Sequence, residues 1–312
     1  MTTATTPPAA GVSAHADGAA YVDGEFCAIA DARIPLVDLG FIRSDATYDV
    51  VHVWKGRFFR LDAHLDRFFA SAERLRFTIP VSREELASIL DRLVGLTGLA
   101  DAYVNMTVSR GVLPPGTRDP LACRNRLYAF AIPFMWIAPP DVQPAGISMI
   151  VASPQRIPSA SVDQSVKNYQ WGDLTRAMFE ARDRGAAVAV LLDGEGNVTE
   201  GAGFNVFALC GGRLRTPSAG VLPGITRRTA IELAAAMGIV TEAGSLPVDE
   251  LRGADEIFIT STAGGIIPIA TLDGAPVGSG TEGPVTAKLR ERYWQAHADP
   301  AYTTPVTYGI KA

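Results

Sequence analysis

The sequence predicts an α+β protein built as a small N-terminal α/β domain followed by a larger C-terminal domain. Three observations predict it. A chain of 312 residues holds two domains or one large one. Strand-like alternation and helical apolar stripes follow one another through both halves. Between the halves, Ala138-Pro139-Pro140-Asp141-Val142-Gln143-Pro144 is stiff and proline-rich, a linker by composition. The expected division is a disordered tail over 1–20, a small domain over 21–138, a linker over 139–146 and the larger domain over 147–312.

The elements follow in order. Tyr21-Val22-Asp23-Gly24-Glu25-Phe26-Cys27 reads as a hairpin turning at Asp23-Gly24. Residues 47–54 alternate as a strand, and Lys55-Gly56 turns it into 57–61. From Asp62, a helix face is marked by Leu65, Phe68, Phe69, Ala72 and Leu75. Ser82-Arg83-Glu84-Glu85 is a capping box opening the next helix, with Leu86, Ile89, Leu90 and Leu93 inward. Strands are expected at 102–109 and 126–137, separated by a Pro/Gly/Arg loop at 111–123 that is too long for a plain hairpin. In the second half a strand at 147–152 leads by an irregular path to Lys167. Gly172-Asp173 reads as turn and N-cap of a helix lined by Leu174, Ala177, Met178 and Ala181. A buried strand at 187–192, a turn at 193–197 and a strand at 198–209 interrupted by Glu200-Gly201-Ala202-Gly203 come next. A helix opened by Pro223-Gly224 and lined by Ile231, Leu233, Ala234 and Met237 precedes a strand at 255–260. A hairpin at Asp273-Gly274 and a final helix at 284–296 complete the chain, and the last dozen residues carry no pattern.

Composition narrows the functions. Hydrophobic residues make up 47%, ample for a packed core, while a net charge of −5 and a pI near 5.5 argue against a nucleic-acid surface. No apolar run approaches the roughly 18 residues of a membrane span. The N-terminus lacks a basic-then-apolar export pattern, and Cys27, Cys123 and Cys210 lie far apart, as suits reduced thiols of a cytoplasmic protein. No histidine pair has zinc spacing, so no metal is expected. Phosphate-loop, dinucleotide and nucleophile-elbow motifs are absent.

Four stretches carry chemistry. Lys167 stands among apolar and amide neighbours ahead of a helix; desolvated there, its amine would be available for Schiff-base formation, although an isolated lysine is more often a solvated loop residue. Glu200, flanked by small residues, could be a solvated bulge or could face a pyridinium nitrogen. Pro223-Gly224-Ile225-Thr226 at a helix start offers unpaired N–H groups and a hydroxyl to a phosphate, or is a plain turn with a threonine N-cap. Ser261-Thr262-Ala263-Gly264-Gly265 after a buried strand could form a second anion nest or a simple loop. Arg67 could reach an anion, but on helix periodicity it is more often a surface residue.

Taken in order, Val166-Lys167-Asn168, Glu200-Gly201-Ala202-Gly203-Phe204-Asn205, Leu222-Pro223-Gly224-Ile225-Thr226-Arg227 and Ser261-Thr262-Ala263-Gly264-Gly265 resemble the fold-type IV pyridoxal-phosphate enzymes. That family holds branched-chain and D-amino acid aminotransferases and aminodeoxychorismate lyase, and the likeness spans roughly residues 20 to 300. Within it, the chain is most similar to (R)-selective amine transaminases. The residues that carry this are Asp38-Leu39-Gly40-Phe41, Ser44-Asp45-Ala46-Thr47-Tyr48-Asp49-Val50, His52-Val53-Trp54, Phe59-Arg60-Leu61-Asp62 and Lys167-Asn168-Tyr169-Gln170-Trp171-Gly172-Asp173-Leu174. The Phe-Glu-Gly segment of the branched-chain enzymes is missing.

The resemblance implies a β-barrel-like sheet with helices in a larger, cofactor-anchoring domain. It implies that Lys167 carries pyridoxal 5'-phosphate as a Schiff base, that Glu200 pairs with the pyridine nitrogen, and that Arg67, Ile225, Thr226, Ser261 and Thr262 hold the phosphate. Tyr48, Val50, Tyr103, Trp171 and Ala263 would shape the substrate pockets. Arg118, on the long loop, would be a switchable carboxylate partner. Arg43 stands where the amine transaminases usually have histidine, and an extra cation there would favour acidic substrates. The implied reaction is ping-pong transfer of an amino group from an (R)-amine or D-amino acid to a keto acid such as pyruvate, in a homodimer with a shared active site. The alternatives are a D-amino acid or branched-chain aminotransferase, a β-lyase on the same cofactor, and a phosphate-ligand binding protein without chemistry.

Overall fold

The computed structural model describes residues 15–309, which divide into two compact units. Within the described residues the first unit takes 15–135, 167–169 and 299–309, and the second takes 136–166 and 170–298.

The first unit begins with β1 (Ala19–Val22) and β2 (Glu25–Ala28), the hairpin expected at Asp23-Gly24. A short helix α1 (Leu39–Arg43) is capped by Asp38, whose carboxylate accepts from Gly40 N at 2.8 Å. β3 (Ala46–Trp54) and β4 (Arg57–Phe59) lead into α2 (Leu61–Arg74) and α3 (Arg83–Thr97), and β5 (Ala102–Ser109) and β6 (Arg126–Pro133) follow. The Ser82–Glu85 capping box forms with both reciprocal bonds, satisfying two N–H groups at the start of α3. α2 and α3 press Leu65, Phe68, Leu86, Leu90 and Leu93 into one cluster with Val51, Val104, Met106 and Val108 of the strands. Each of these buried side chains contributes about 1.5–3 kcal/mol relative to exposure.

The second unit contains β7 (Ile147–Gln155), α4 (Gly172–Asp183), β8 (Val188–Leu192), β9 (Val198–Gly201), β10 (Phe204–Cys210), β11 (Arg213–Pro217), α5 (Ile225–Ala236), β12 (Thr241–Gly244), α6 (Val248–Arg252), β13 (Glu256–Ser261), β14 (Gly265–Leu272), β15 (Ala275–Pro276) and α7 (Pro284–Ala296). Its sheet runs β12-β11-β10-β13-β14-β7-β8-β9, and β9 also pairs with β10. Six strands therefore close on themselves as a barrel, around Met149, Val190, Val206, Ile259 and Ile267. This is the β-barrel-like sheet with helices that the sequence resemblance implied.

Several expectations need correction. The chain is ordered before residue 21: Ala19 and Ala20 are buried in β1, because Ala19 pairs with both β2 and β6. Residues 1–14 of the expected tail lie outside the described residues. The 139–146 stretch is not an open linker. Its Gln143 is buried and donates through Nε2 to Ala138 O at 2.9 Å and Gly264 O at 3.2 Å, which ties the stretch into the second unit. The patternless C-terminus forms β16 (Thr303–Pro305), which pairs with β4, so the first unit's sheet runs β16-β4-β3-β5-β6-β1-β2. The strand expected at 126–137 ends at Pro133, which lacks the N–H a ladder needs. Met178 is exposed while Leu174, Ala177 and Ala181 are buried. Along α5 the buried stripe is Ile225, Thr226, Thr229, Ala230 and Ala234, leaving Ile231, Leu233 and Met237 less buried than expected. Among the described residues no helix is long and apolar enough to cross a membrane, and no group of three or more His, Cys, Asp or Glu could hold a metal ion.

Candidate active site

In the first unit the expected residues sort onto the two faces of β3. Side chains alternate along a strand, and the register pairs Tyr48 with Thr107, Val50 with Asn105 and His52 with Tyr103 on one face. Asp49 lies on the other, toward α2. Lys167 joins this strand through its backbone. Tyr48 N donates to Lys167 O at 3.1 Å, Thr47 Oγ1 donates to the same oxygen at 2.6 Å, and Thr47 and Asn168 form an antiparallel bridge. So the segment 167–169 is a one-step extension of the first unit's sheet. Its amine, Nζ, stands 4.5 Å from the centroid of the Tyr48 ring, a cation–π contact.

Tyr169, which the sequence reading did not single out, stacks on Tyr48 at 4.4 Å, and its hydroxyl meets Thr107 Oγ1 at 2.8 Å. Thr107 in turn donates to Asn105. Burial pushes the Tyr169 phenol up to about 12, against a lowering by its hydrogen bond to Thr107. Burial raises Tyr103 further, helped by Tyr48, Tyr169 and Asp49. Both phenols are therefore neutral at pH 7, and on β3 and β5 the residues of this face are Ala46, Tyr48, Val50, His52, Trp54, Tyr103, Asn105, Thr107 and Ser109, with no lysine or arginine among them.

Arg67, on α2, is not a surface arginine. Its guanidinium meets Asp49 side-on, Nε to Oδ2 at 2.7 Å and NH2 to Oδ1 at 2.9 Å, and its side chain is 12% exposed. Burial alone would raise the Asp49 carboxyl, but the Arg67 charge and the hydrogen bonds from His64 and Arg67 outweigh it and hold the carboxyl well below the usual carboxylate range. Arg43 ends α1 on the surface, and Arg118 is exposed on the 111–123 loop. The structure does not bring either into the Tyr48–Lys167 cluster.

In the second unit, Glu200 is the penultimate residue of β9 and faces Asn205 across the β9–β10 hairpin. The two side chains clamp one residue: Leu222 N donates to Glu200 Oε2 at 2.9 Å, and Asn205 Nδ2 donates to Leu222 O at 2.9 Å. That clamp sets where α5 begins. Gly224, its N-cap, approaches so closely that a Cβ there would collide with Asn205 Oδ1. Thr226 is the second helical residue and not the N-cap, so the plain threonine-cap reading fails. Ile225 and Thr226 are buried at the positive end of the helix dipole, among N–H groups with no intrahelical partner.

Glu200 is fixed from a second side. Arg156 donates to its Oε1 at 2.9 Å and to Asp173 Oδ2 at 2.7 Å, and all three side chains are buried. Asp173 thus corrects the N-cap expectation: α4 begins at Gly172, after Trp171, and the Asp173 carboxylate takes Arg156 and Ile157 N (2.8 Å) on Oδ2 and Leu174 N (2.8 Å) on Oδ1. Arg156 gave no sequence signal, because its partners stand 17 and 44 residues away. Trp171 packs against the cluster that holds Leu174 and Ala177.

At the end of β13, Ser261 is buried, donates its hydroxyl proton to Gly203 O at 2.8 Å and accepts from Ala263 N at 3.1 Å. It shapes the turn that carries Thr262 and Ala263, rather than presenting a donor of its own. Ala263 O accepts from Ile137 N at 2.8 Å, and Thr262 and Ala263 are half-buried.

The family model described as Amino-transferase class IV matches residues 46–272. A putative branched-chain-amino-acid aminotransferase of Methanocaldococcus jannaschii is 34% identical over 276 residues, 88% of this chain and 94% of that protein. A D-alanine aminotransferase of Listeria monocytogenes is 31% identical over 276 residues, 84% of this chain and 90% of that one. Among solved structures, a T.th. branched-chain amino acid aminotransferase with pyridoxamine 5'-phosphate superposes with a TM-score of 0.87 at 28% identity, covering 93% of this chain and 99% of that one.

Proposed function

The chain belongs to the class IV aminotransferases, enzymes that depend on pyridoxal phosphate, and we propose that within this family it moves an amino group from an (R)-configured amine to a keto acid such as pyruvate. The residues present fit the cofactor. Lys167 offers an amine, Glu200 a carboxylate braced by Arg156 and the Leu222 N–H, and the α5 N-terminus a helix-dipole cradle that a side chain at Gly224 would fill. Bound pyridoxal phosphate supplies an aldehyde that takes up the donor amine and a ring that withdraws electrons from its α-carbon.

The chain's own residues do the rest. Lys167 would act as general base toward the donor's Cα proton and as general acid when delivering it. Glu200, ion-paired with Arg156, would hold the ring nitrogen, which would maintain the ring as an electron sink. Arg67, Thr226 and Thr262 hold the phosphate, with Ile225 adding its backbone N–H and Ser261 acting by shaping the turn. Tyr48, Val50, Tyr103, Trp171 and Ala263 shape the pockets for the donor's two substituents. A shared-site homodimer in the cytoplasm completes the proposal.

One observation carries the preference for an amine over an amino acid. On β3 and β5, the face that holds Tyr48 beside Lys167 carries no lysine or arginine to receive a carboxylate, and the Tyr103 and Tyr169 phenols there are kept protonated by burial. Burying an unpaired carboxylate against such a wall costs several kcal/mol. The (R) preference rests on the resemblance of the Tyr48–Val50 and Lys167–Leu174 segments. A D-amino acid or branched-chain amino acid donor is the second reading, favoured by relatives of those names and by the exposed cations Arg43 and Arg118.

Initial rates with (R)-1-phenylethylamine and pyruvate, set beside D-alanine and L-leucine with 2-oxoglutarate, separate the two. Turnover of the (R)-amine, with its mirror image inactive, is expected. Turnover of amino acids alone discards the amine reading. A Lys167→Ala variant that kept full turnover would discard the chemistry altogether.

A further inference from the structure

β3 presents Tyr48 and Val50 to one side and Asp49 to the other, and what Asp49 holds goes beyond packing. Its carboxylate is fully buried and each oxygen is used. Oδ1 accepts from Val50 N at 2.7 Å, from Arg67 NH2 at 2.9 Å and, at 2.8 Å, from His64 Nδ1; Oδ2 accepts from Arg67 Nε at 2.7 Å. The Nε–NH2 edge of Arg67 is thus docked side-on, which fixes the plane of the guanidinium. Its planar fork then turns the remaining nitrogen away from Asp49. His64 is also buried, and burial lowers its pKa against the raising influence of Asp49, so it is neutral at pH 7 and donates from Nδ1. It braces Asp49 without adding a competing cation.

A buried ion pair of this kind gives little net stability compared with well-packed apolar residues of the same volume. What it supplies is direction. We propose that Asp49, braced by His64, is a positioning residue for cofactor binding. It aims the outer N–H edge of Arg67 at the cofactor's phosphate, and through β3 it ties that grip to the strand carrying the Tyr48 and Val50 pocket walls. This rests on the reading of Arg67 as a phosphate holder.

The test compares two probes on the full chain after its cofactor is removed: pyridoxal 5'-phosphate, and pyridoxal, which lacks the phosphate. Dissociation constants are read from visible absorbance for the wild type, Asp49→Asn, His64→Phe, Arg67→Ala and the Asp49→Asn/Arg67→Ala double variant. Asp49→Asn is expected to weaken pyridoxal-phosphate binding at least tenfold and His64→Phe by a few-fold, both leaving pyridoxal binding within twofold. In the double variant Asp49→Asn should add nothing to the loss from Arg67→Ala, because the two act as one unit. Equal losses for both probes in Asp49→Asn, or additive losses in the double variant, overturn the inference. If Asp49→Asn does not fold, His64→Phe decides by the same ratio. If Arg67→Ala leaves the ratio between the probes unchanged, the phosphate role of Arg67 fails first and the inference goes with it. If Arg67→Ala changes the ratio and Asp49→Asn does not, the phosphate role stands and only the positioning role is lost.

Discussion

Removing the Arg156 cation tests how the second unit holds Glu200. Arg156 is the shared partner of two buried carboxylates, at 2.7 Å from Asp173 and 2.9 Å from Glu200, with side-chain exposures of 6%, 7% and 9% for the three groups. In Arg156→Met the apolar chain fills much of the same volume, so the loss is chiefly electrostatic. Asp173 keeps its bonds from Ile157 N and Leu174 N and Glu200 its bond from Leu222 N, but neither retains this counter-charge. Breaking one buried pair costs about 3–5 kcal/mol, and with two carboxylates stranded the upper half of that range, about 4–5 kcal/mol, is expected. At about 2–4 °C per kcal/mol for a unit of this size, the calorimetric melting temperature should fall by roughly 8–20 °C. Adding Asp173→Asn and Glu200→Gln to Arg156→Met should recover most of the loss, since the stranded charges are then gone. A fall of less than about 1 kcal/mol, the size of a solvent-screened pair, would refute this account of the network. So would a triple variant no more stable than Arg156→Met.

Two further outcomes follow from single contacts. Gly224→Ala places a methyl group against Asn205 Oδ1, so either the Leu222 clamp or the α5 N-terminus must move; pyridoxal-phosphate affinity, read by absorbance titration, should drop at least tenfold. His297 is buried, and burial lowers its pKa to about 4, so in the folded state it must be neutral. Its contribution to stability is complete above the unfolded value near 6.5 and is lost as pH falls from there toward 4, about 3 kcal/mol in all. His64, also lowered by burial, adds loss of the same sign. Urea midpoints measured across that window should decline for the wild type, and more shallowly for His297→Gln.

Elements whose determinants are local were legible in the sequence. The Asp23-Gly24 hairpin, the Ser82–Glu85 capping box, β5 at Ala102–Ser109 and α7 at Pro284–Ala296 appear with the expected bounds, because turn residues, caps and apolar periodicity act within a few positions. The ordered motifs around Lys167, Glu200, Thr226 and Thr262 pointed to the family that the comparisons show. What stayed hidden was decided at a distance. β16 exists because β4 offers it an edge more than 240 residues earlier in the chain. Asp173 looked like a helix cap because Asp before a helix usually is one; Arg156, 17 residues upstream, claims it instead. Arg67 read as a surface residue because its partner Asp49 sits on a strand, and neither residue's own periodicity reveals the pairing. Barrel closure likewise depends on β10 pairing with both β9 and β13.

The central claim is that the amine of Lys167, held over the Tyr48 ring, bonds the cofactor. Borohydride reduction of the cofactor-loaded protein, followed by peptide mass mapping, measures this directly. The account predicts one pyridoxyl adduct, on Lys167 and absent from Lys167→Ala; an adduct on another lysine, or no adduct on a protein that still turns over substrate, would contradict it.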